Sequence, residues 1–292
     1  MSKPHPFGSH PSSSGNSIFL SALDYGTAGQ NTRSVAAADL NNDGKVDVVT
    51  ADTCNTNCTS GSVSVLLGNG DGTYQSAVSY SSGGLDSNAV VIGDVNGDGK
   101  PDLVVANNCS DNNCNNGSVS ILLGNGDGTF QSAVSYGSGG QDATSVAIAD
   151  VNGDAKLDVV VTNNCTTNNC TNGTVSVFLG NGDGTFQTAV VYNSGGQNAT
   201  FVAVGDLNGD GKLDLAVTNQ CLNNSNCSNG AVSVLSGNGD GTFNPAVSYS
   251  TTGAYSTSVA IGDVNGDGHP DLSVSNQCNN NNQCSDRDVR PH

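Results

Sequence analysis

The nonapeptide Asp94-Val95-Asn96-Gly97-Asp98-Gly99-Lys100-Pro101-Asp102 sets side-chain oxygens at positions one, three, five and nine around a glycine. Near-copies begin at Asp39, Asp150, Asp206 and Asp263. Oxygen donors at alternate positions of a tight loop suit a hard cation. Calcium takes about six to eight oxygen ligands, drawn from carboxylates, carboxamides and carbonyls. Position seven would add its main-chain carbonyl. The candidate ligand sets are therefore Asp39, Asn41, Asp43, Lys45 and Asp47; Asp94, Asn96, Asp98, Lys100 and Asp102; Asp150, Asn152, Asp154, Lys156 and Asp158; Asp206, Asn208, Asp210, Lys212 and Asp214; and Asp263, Asn265, Asp267, His269 and Asp271. One calcium ion per loop, five in all, is the expectation. Glycine at position six supplies the positive φ that such a turn demands. Ala155 stands there in the third copy, at an expected cost on the order of 1 kcal/mol, which makes that site the weakest. The pattern is not an EF-hand, because no glutamate follows at position twelve and no helix flanks the loop. Magnesium fits less well, since it demands a small octahedral shell and keeps its waters.

Ten cysteines fall in five local pairs at one place in the repeat: Cys54/Cys58, Cys109/Cys114, Cys165/Cys170, Cys221/Cys227 and Cys278/Cys284. Their spacing drifts, and no histidine stands nearby, so zinc is a poor match. Local disulfides, one per repeat, are the expectation, and they require an oxidising compartment. All 26 acidic residues are aspartate, against eight basic residues, for a net charge of −18. That balance argues against nucleic acid as a partner. No apolar run is long enough to cross a membrane. The histidines are His5, His10, His269 and His292, and no nucleophile stands beside a base, so catalysis is not expected.

The elements that must hold these groups are strands. Asparagine, aspartate, glycine and serine break the chain, and valine is the main apolar residue between the breaks. The acidic loops recur at intervals of 55, 56, 56 and 57 residues. Each repeat has the same four apolar segments, in the second copy around "NAVVIGD", "PDLVVAN", "GSVSILLGN" and "TFQSAVSY". Alternating apolar residues between turn residues predict four short antiparallel strands per repeat, too small a sheet to cover its own faces. The "GNGDGT" turns carry Asp71, Asp127, Asp183 and Asp240; a second ion is one reading, and Asn-Gly and Asp-Gly hairpin chemistry is the favoured one.

The stretches "VAVGDLNGDGKLDLAVTN" (202–219) and "VSVFLGNGDGTFQTAV" (175–190), with their counterparts in the other copies, resemble FG-GAP or VCBS repeats, related to the β-propeller of integrin α subunits. The resemblance covers about residues 17 to 284 and implies one propeller blade per repeat, with calcium in the loop between the first two strands. The expected fold is all-β: a five-bladed β-propeller of four-stranded antiparallel blades. Repeats would occupy about residues 33–88, 89–144, 145–200, 201–257 and 258–284, the last blade being completed by residues 16–32. Residues 1–15 would be a flexible leader and 285–292 a tail. Rival readings are a segment of a longer array, or a fibre in which residues 16–32 complete a neighbour's last blade.

In a four-strand meander, alternate connections emerge at the same end. The calcium loops and "GNGDG" turns should share one end, and the disulfide loops and inter-repeat linkers the other. Variable loops on a rigid scaffold are where recognition resides. The expected function is a secreted or cell-surface module for adhesion, recognition or scaffolding, with a protein or glycan ligand. The alternatives are a fibre subunit and a lectin-like propeller. The 14 Phe and Tyr residues sit mostly at repeated strand positions, where core packing accounts for them.

Overall fold

The computed structural model describes residues 22–55, 57, 59–166, 172–222, 227 and 229–278. Among the described residues there is no helix. Sheet 1 is β1 (Gly29–Ala38), β2 (Asp47–Asn55), β3 (Ser62–Leu66) and β4 (Val78–Ser81). Sheet 2 is β5 (Leu85–Gly93), β6 (Asp102–Cys109), β7 (Ser118–Leu122) and β8 (Val134–Gly137). Sheet 3 is β9 (Gln141–Ala149), β10 (Asp158–Cys165), β11 (Thr174–Phe178) and β12 (Val190–Asn193). Sheet 4 is β13 (Gln197–Gly205), β14 (Asp214–Cys221), β15 (Ala231–Leu235) and β16 (Val247–Ser250), and sheet 5 pairs β17 (Ala254–Gly262) with β18 (Asp271–Cys278). Each is an antiparallel meander, so the all-β class and the repeated four-stranded sheets are as the alternation predicts.

The core lies between consecutive sheets, and the strand period of two decides which side chain goes where. On β6, Leu103 and Val105 face Val49, Ala51, Val63 and Val65 of sheet 1. The alternate residues Val104 and Ala106 face Val146, Val159 and Val161 of sheet 3. The same pattern joins sheet 3 to sheet 4, through Val160, Val175 and Val177 against Val202, Leu215 and Val217. Burial on both faces explains why the second strands read as nearly continuous apolar runs. Each such side chain stabilises by about 1.5–3 kcal/mol. Aromatic edges lock the outer part of the first three junctions: Tyr80 meets Phe130 at 5.7 Å, Tyr136 meets Phe186 at 5.9 Å, and Tyr192 meets Phe243 at 5.8 Å.

Two polar devices repeat with the sheets. Every first strand carries a one-residue register shift, at Thr32/Ser34, Ser87/Ala89, Ala199/Phe201 and Ser256/Ser258, and opposite Thr162/Asn163 in sheet 3. In sheets 2, 3 and 4 the extra residue reaches the next sheet. Asn88 Nδ2 donates to the Ala143 carbonyl at 2.9 Å, Thr144 Oγ1 to that of Ala199 at 2.8 Å, and Thr200 Oγ1 to that of Ser256 at 2.9 Å. Beneath the linkers, Asn107 Nδ2 donates to Ser118 Oγ and Ser120 Oγ, and Asn163 and Asn219 hold the same place in sheets 3 and 4. Sheet 1 has Asp52 there, fully buried and accepting from Thr32 Oγ1 and Ser64 Oγ, each at 2.6 Å.

The ring expected from the sequence is not closed among the described residues. Residues 16–21 lie outside them, and residues 22–28 form no strand. That segment lies against sheet 1 instead. Tyr25 packs edge-on to Tyr74 at 5.2 Å, and the Ala28 amide donates to Ser64 Oγ at 3.1 Å. Residues 29–32 open β1, and sheet 5 holds two strands. Val35 is 66% exposed, whereas its equivalents Val90, Val146, Val202 and Val259 are 3%, 5%, 2% and 4% exposed, because each of those four has a preceding sheet over it.

Candidate metal loops and the two ends of the stack

The acidic loops join each first strand to the second, and their short polar side chains fold back on the loop's own amides. In the second repeat the Asp98 amide donates to Asp94 Oδ1 at 3.1 Å and to Asn96 Oδ1 at 2.9 Å, so these two oxygens converge on one nitrogen. Asp94 Oδ2 accepts from the Gly99 amide at 2.8 Å, and Asp98 Oδ1 from the Lys100 amide at 3.0 Å. The other loops repeat the convergence: the Asp43 amide on Asp39 and Asn41, Asp154 on Asp150 and Asn152, Asp210 on Asp206 and Asn208, and Asp267 on Asp263 and Asn265. Position six lies in the left-handed region throughout. Gly99 has φ +81°, and Ala155, as anticipated, is held there at φ +63° with its amide on Asp150 Oδ2 at 2.8 Å.

The ninth aspartate is placed differently. Asp47, Asp102, Asp158 and Asp214 are fully buried beneath their loops. Asp102 Oδ2 accepts from the Val95 amide at 3.0 Å, and Oδ1 from the Gly124 amide at 2.7 Å. The carboxylate thus ties the loop to the turn between β7 and β8. Gly124 must be glycine there, since a Cβ would lie 2.1 Å from the Pro101 carbonyl oxygen. Asp47, Asp158 and Asp214 make the same pair of bonds, to Leu40 and Gly68, Val151 and Gly180, and Leu207 and Gly237. In the last loop Asp271 accepts from the Val264 amide at 2.9 Å. Burial pushes the Asp102 carboxyl above the usual aspartate range; the Gly124 and Val95 amides oppose this, and the nearby charges of Asp98 and Asp94 add to it. Asp158 is raised for the same reasons. Asp206 and Asp263 are held low, first by the Gly211 and Gly268 amides.

Lys45, Lys100 and Lys156 pair with the fifth-position aspartates Asp43, Asp98 and Asp154 at 3.2, 3.5 and 3.7 Å, with both partners partly exposed. Among the described residues no group of three or more His, Cys, Asp or Glu side chains is close enough to hold a metal ion. The gathered set in each loop is aspartate, asparagine and aspartate, with the ninth carboxylate turned onto amides. The donors are all hard oxygens, which fits calcium in kind. The "GNGDGT" turns are closed hairpins: Asp127 Oδ1 accepts from the Thr129 amide at 3.0 Å and from its hydroxyl, and the Asn125 amide donates to the Thr129 carbonyl at 2.9 Å.

The repeat has a known counterpart. The model of the FG-GAP-like repeat matches residues 51–105, 94–161, 165–217 and 222–274, and that of the FG-GAP repeat matches residues 31–66. The chain belongs to the FG-GAP repeat family. Comparison with curated protein sequences gave no match. Among solved structures, the V. cholerae biofilm matrix protein Bap1 is similar at 18% identity and a TM-score of 0.39, over 81% of this chain and 42% of that one. The chain thus spans less than half of that protein.

At the opposite end of the FG-GAP stack, Cys109–Cys114 and Cys221–Cys227 form the expected disulfides, with Cα atoms 4.6 and 4.8 Å apart. Cys54, Cys165 and Cys278 are also disulfide-bonded, and their expected partners Cys58, Cys170 and Cys284 lie outside the described residues. The linkers pass beside these loops, where the Gly61 amide donates to the Gly84 carbonyl and the Gly117 amide to that of Gly140, both at 2.9 Å. A cleft of about 330 Å³ opens between the first two disulfide loops, lined by Thr53, Thr59, Ser60, Leu85, Asp86 and Asn112 with Cys54 and Cys114. Sequence reasoning missed the buried Asn107, Asn163 and Asn219, although an asparagine at one fixed place in each second strand is a readable signal.

Proposed function

We propose that this FG-GAP chain is an extracellular, calcium-stabilised scaffold that presents its disulfide-loop end to a protein or glycan partner and catalyses nothing. The observation that carries the calcium reading is the fivefold convergence of a first-position aspartate oxygen and a third-position asparagine oxygen on a single amide, with a fifth-position aspartate beside them. Those side chains, with the position-seven carbonyl, would hold the ion. The ninth aspartate would act from below, holding the loop to the neighbouring hairpin. Burial is the main reason the Asp102 carboxyl is raised, the Asp98 and Asp94 charges add to it, and a dication in the loop would reverse that added part. The disulfides support an oxidising compartment, where calcium is plentiful.

An ion that binds only the folded chain stabilises by mass action, about 1.4–2.7 kcal/mol per site at 10 to 100 times the dissociation constant. Thermal unfolding in calcium, then in excess chelator, tests this. A midpoint higher in calcium by several degrees is expected, with magnesium giving much less. Equal midpoints in calcium and chelator would remove the metal from the proposal.

A further inference from the structure

Eleven asparagines of the chain are followed by glycine, and we infer that one of them, Asn96, is a site of spontaneous covalent modification that loses its side-chain nitrogen ahead of the rest. The reaction needs only water. The backbone nitrogen of the following residue gives its proton to solvent and attacks the side-chain carbonyl carbon. A C–N bond forms, the Cγ–Nδ2 bond breaks, and ammonia leaves with a proton from water. A second water then opens the cyclic imide at either carbonyl, giving aspartate or isoaspartate, with the first water's hydroxide returned and no change of oxidation state. Glycine in the following place favours attack, because no Cβ crowds the nitrogen. The fold adds two conditions: the attacking amide must be free, and the carboxamide must be polarised towards it.

Three settings meet these conditions differently. After Asn116, Asn172 and Asn229 the attacking amides are taken: Gly117, Gly173 and Gly230 donate to the carbonyls of Gly140, Gly196 and Gly253 at 2.9, 2.9 and 2.8 Å. In the hairpin turns Asn69, Asn125, Asn181 and Asn238 are held by the leaving nitrogen, which donates to a threonine hydroxyl at 2.8–2.9 Å. In the acidic loops the carboxamide is held by its oxygen. The Asp98 amide donates to Asn96 Oδ1 at 2.9 Å, and Asn152, Asn208 and Asn265 have the same donor. A donor there stabilises the oxyanion that attack creates. The loops part at the nucleophile. Gly153, Gly209 and Gly266 donate their amides to the first-position aspartates, each at 2.7 Å. The exposed Gly97 makes no such bond among the described residues. A carboxylate on the amide must be given up, and its charge opposes loss of the amide proton, so those three loops should react about tenfold more slowly. Sequence cannot supply this difference, because loops 2, 3 and 5 all read Val-Asn-Gly-Asp. Conversion puts a further negative charge between Asp94 and Asp98, and isoaspartate adds a backbone methylene to the turn between β5 and β6. The inference does not rest on the calcium reading.

Incubation of the full chain in heavy-oxygen water at mildly alkaline pH, in chelator so that no ion contributes, tests this. Peptide mapping by mass spectrometry then reads each asparagine separately. Asn96 should convert about tenfold faster than Asn152, Asn208 and Asn265, taking up heavy oxygen and giving isoaspartate among its products. In denaturant the same four residues should convert at similar rates, since the sequence around them is alike. Equal rates at the four loops of the folded chain overturn the inference. So does a turn or linker asparagine that converts before Asn96, or a lead of Asn96 that persists in denaturant.

Discussion

Sheets 2 and 5 present the same apolar pattern to the sheet before them: Val90, Ile92, Leu103 and Val105 in one, Val259, Ile261, Leu272 and Val274 in the other. Their burial differs. β6 is buried along nearly its whole length, with Leu103 at 0% exposure, whereas Leu272 and Val274 on β18 are half-buried. The side chains are alike, so the difference lies in the neighbours. Among the described residues, sheet 2 has β7 and β8 beyond β6 and a sheet on each face, whereas sheet 5 has β17 beside β18 and one covered face. In a stack of repeats, burial belongs to the junction rather than to the residue, and stability is the sum of repeat and nearest-neighbour terms.

The largest effect should come from truncating the same residue in the two sheets. Leu103→Ala leaves a cavity in a closed junction and should cost about 2–5 kcal/mol. Leu272→Ala removes a side chain that water already reaches and should cost less than half as much. Denaturant unfolding of both variants, with unchanged slope, measures the two numbers. Equal losses would mean that sheet 5 is covered as fully as sheet 2.

The ninth aspartate gives the next contrast. Asp102 satisfies two amides and is fully buried, while Asp271 accepts from the Val264 amide. Asp102→Asn sets a side-chain NH2 group against one of those amides, and an unmade buried hydrogen bond costs about 1–3 kcal/mol. Asp271→Asn can turn its carbonyl to Val264 and should change stability by less than about 1 kcal/mol. Both are to be measured in chelator, where no ion contributes.

Much of this arrangement is legible in the chain itself. The turn chemistry and the period-two valines identify the strands, and the drifting cysteine pairs identify local disulfides, because all of these depend on nearest neighbours in sequence. What joins one sheet to the next is less legible. The bulge residues Asn88, Thr144 and Thr200 act across more than fifty residues, so no local pattern marks their partners. Ring closure is not visible among the described residues, which leave out residues 1–21 and 279–292. Residues 16–32 resemble the outer strands of a repeat, and the part of them that is described packs on sheet 1 through Tyr25 and Tyr74. In the loops, spacing names the oxygens but not their partners; the ninth aspartate reads as a fifth ligand, and Asp47, Asp102, Asp158 and Asp214 are each found on two amides.

A smaller effect separates the second and third loops. Ala155 holds φ +63° where Gly99 holds φ +81°. Ala155→Gly should relieve a left-handed alanine and raise stability by about 0.5–1 kcal/mol, and Gly99→Ala should lower it by a similar amount. In calcium titrations the third loop should tighten on Ala155→Gly while the second weakens on Gly99→Ala. If both substitutions act in the same direction, backbone strain is not what distinguishes the loops.

The smallest effect is in acid, where two classes of aspartate pull in opposite directions. Burial, with the Asp98 and Asp94 charges, raises the carboxyl of Asp102, and Asp158 follows it. A raised carboxyl contributes stability that is full below its unfolded value and is lost as pH rises through its folded value. Asp127 and Asp183 are held low, first by the hydroxyls of Thr129 and Thr185; their contribution is present above the usual aspartate value and is lost as pH falls through the lowered one. Acidifying the metal-free chain from neutral pH therefore meets the raised pair first. Its unfolding midpoint should rise slightly just above the ordinary aspartate range and then fall as the turns protonate. In the Asp102→Asn/Asp158→Asn double variant the rise should vanish while the fall persists. A midpoint that falls steadily from neutral pH in the parent chain would show that buried carboxylates are not what the loops most need neutralised.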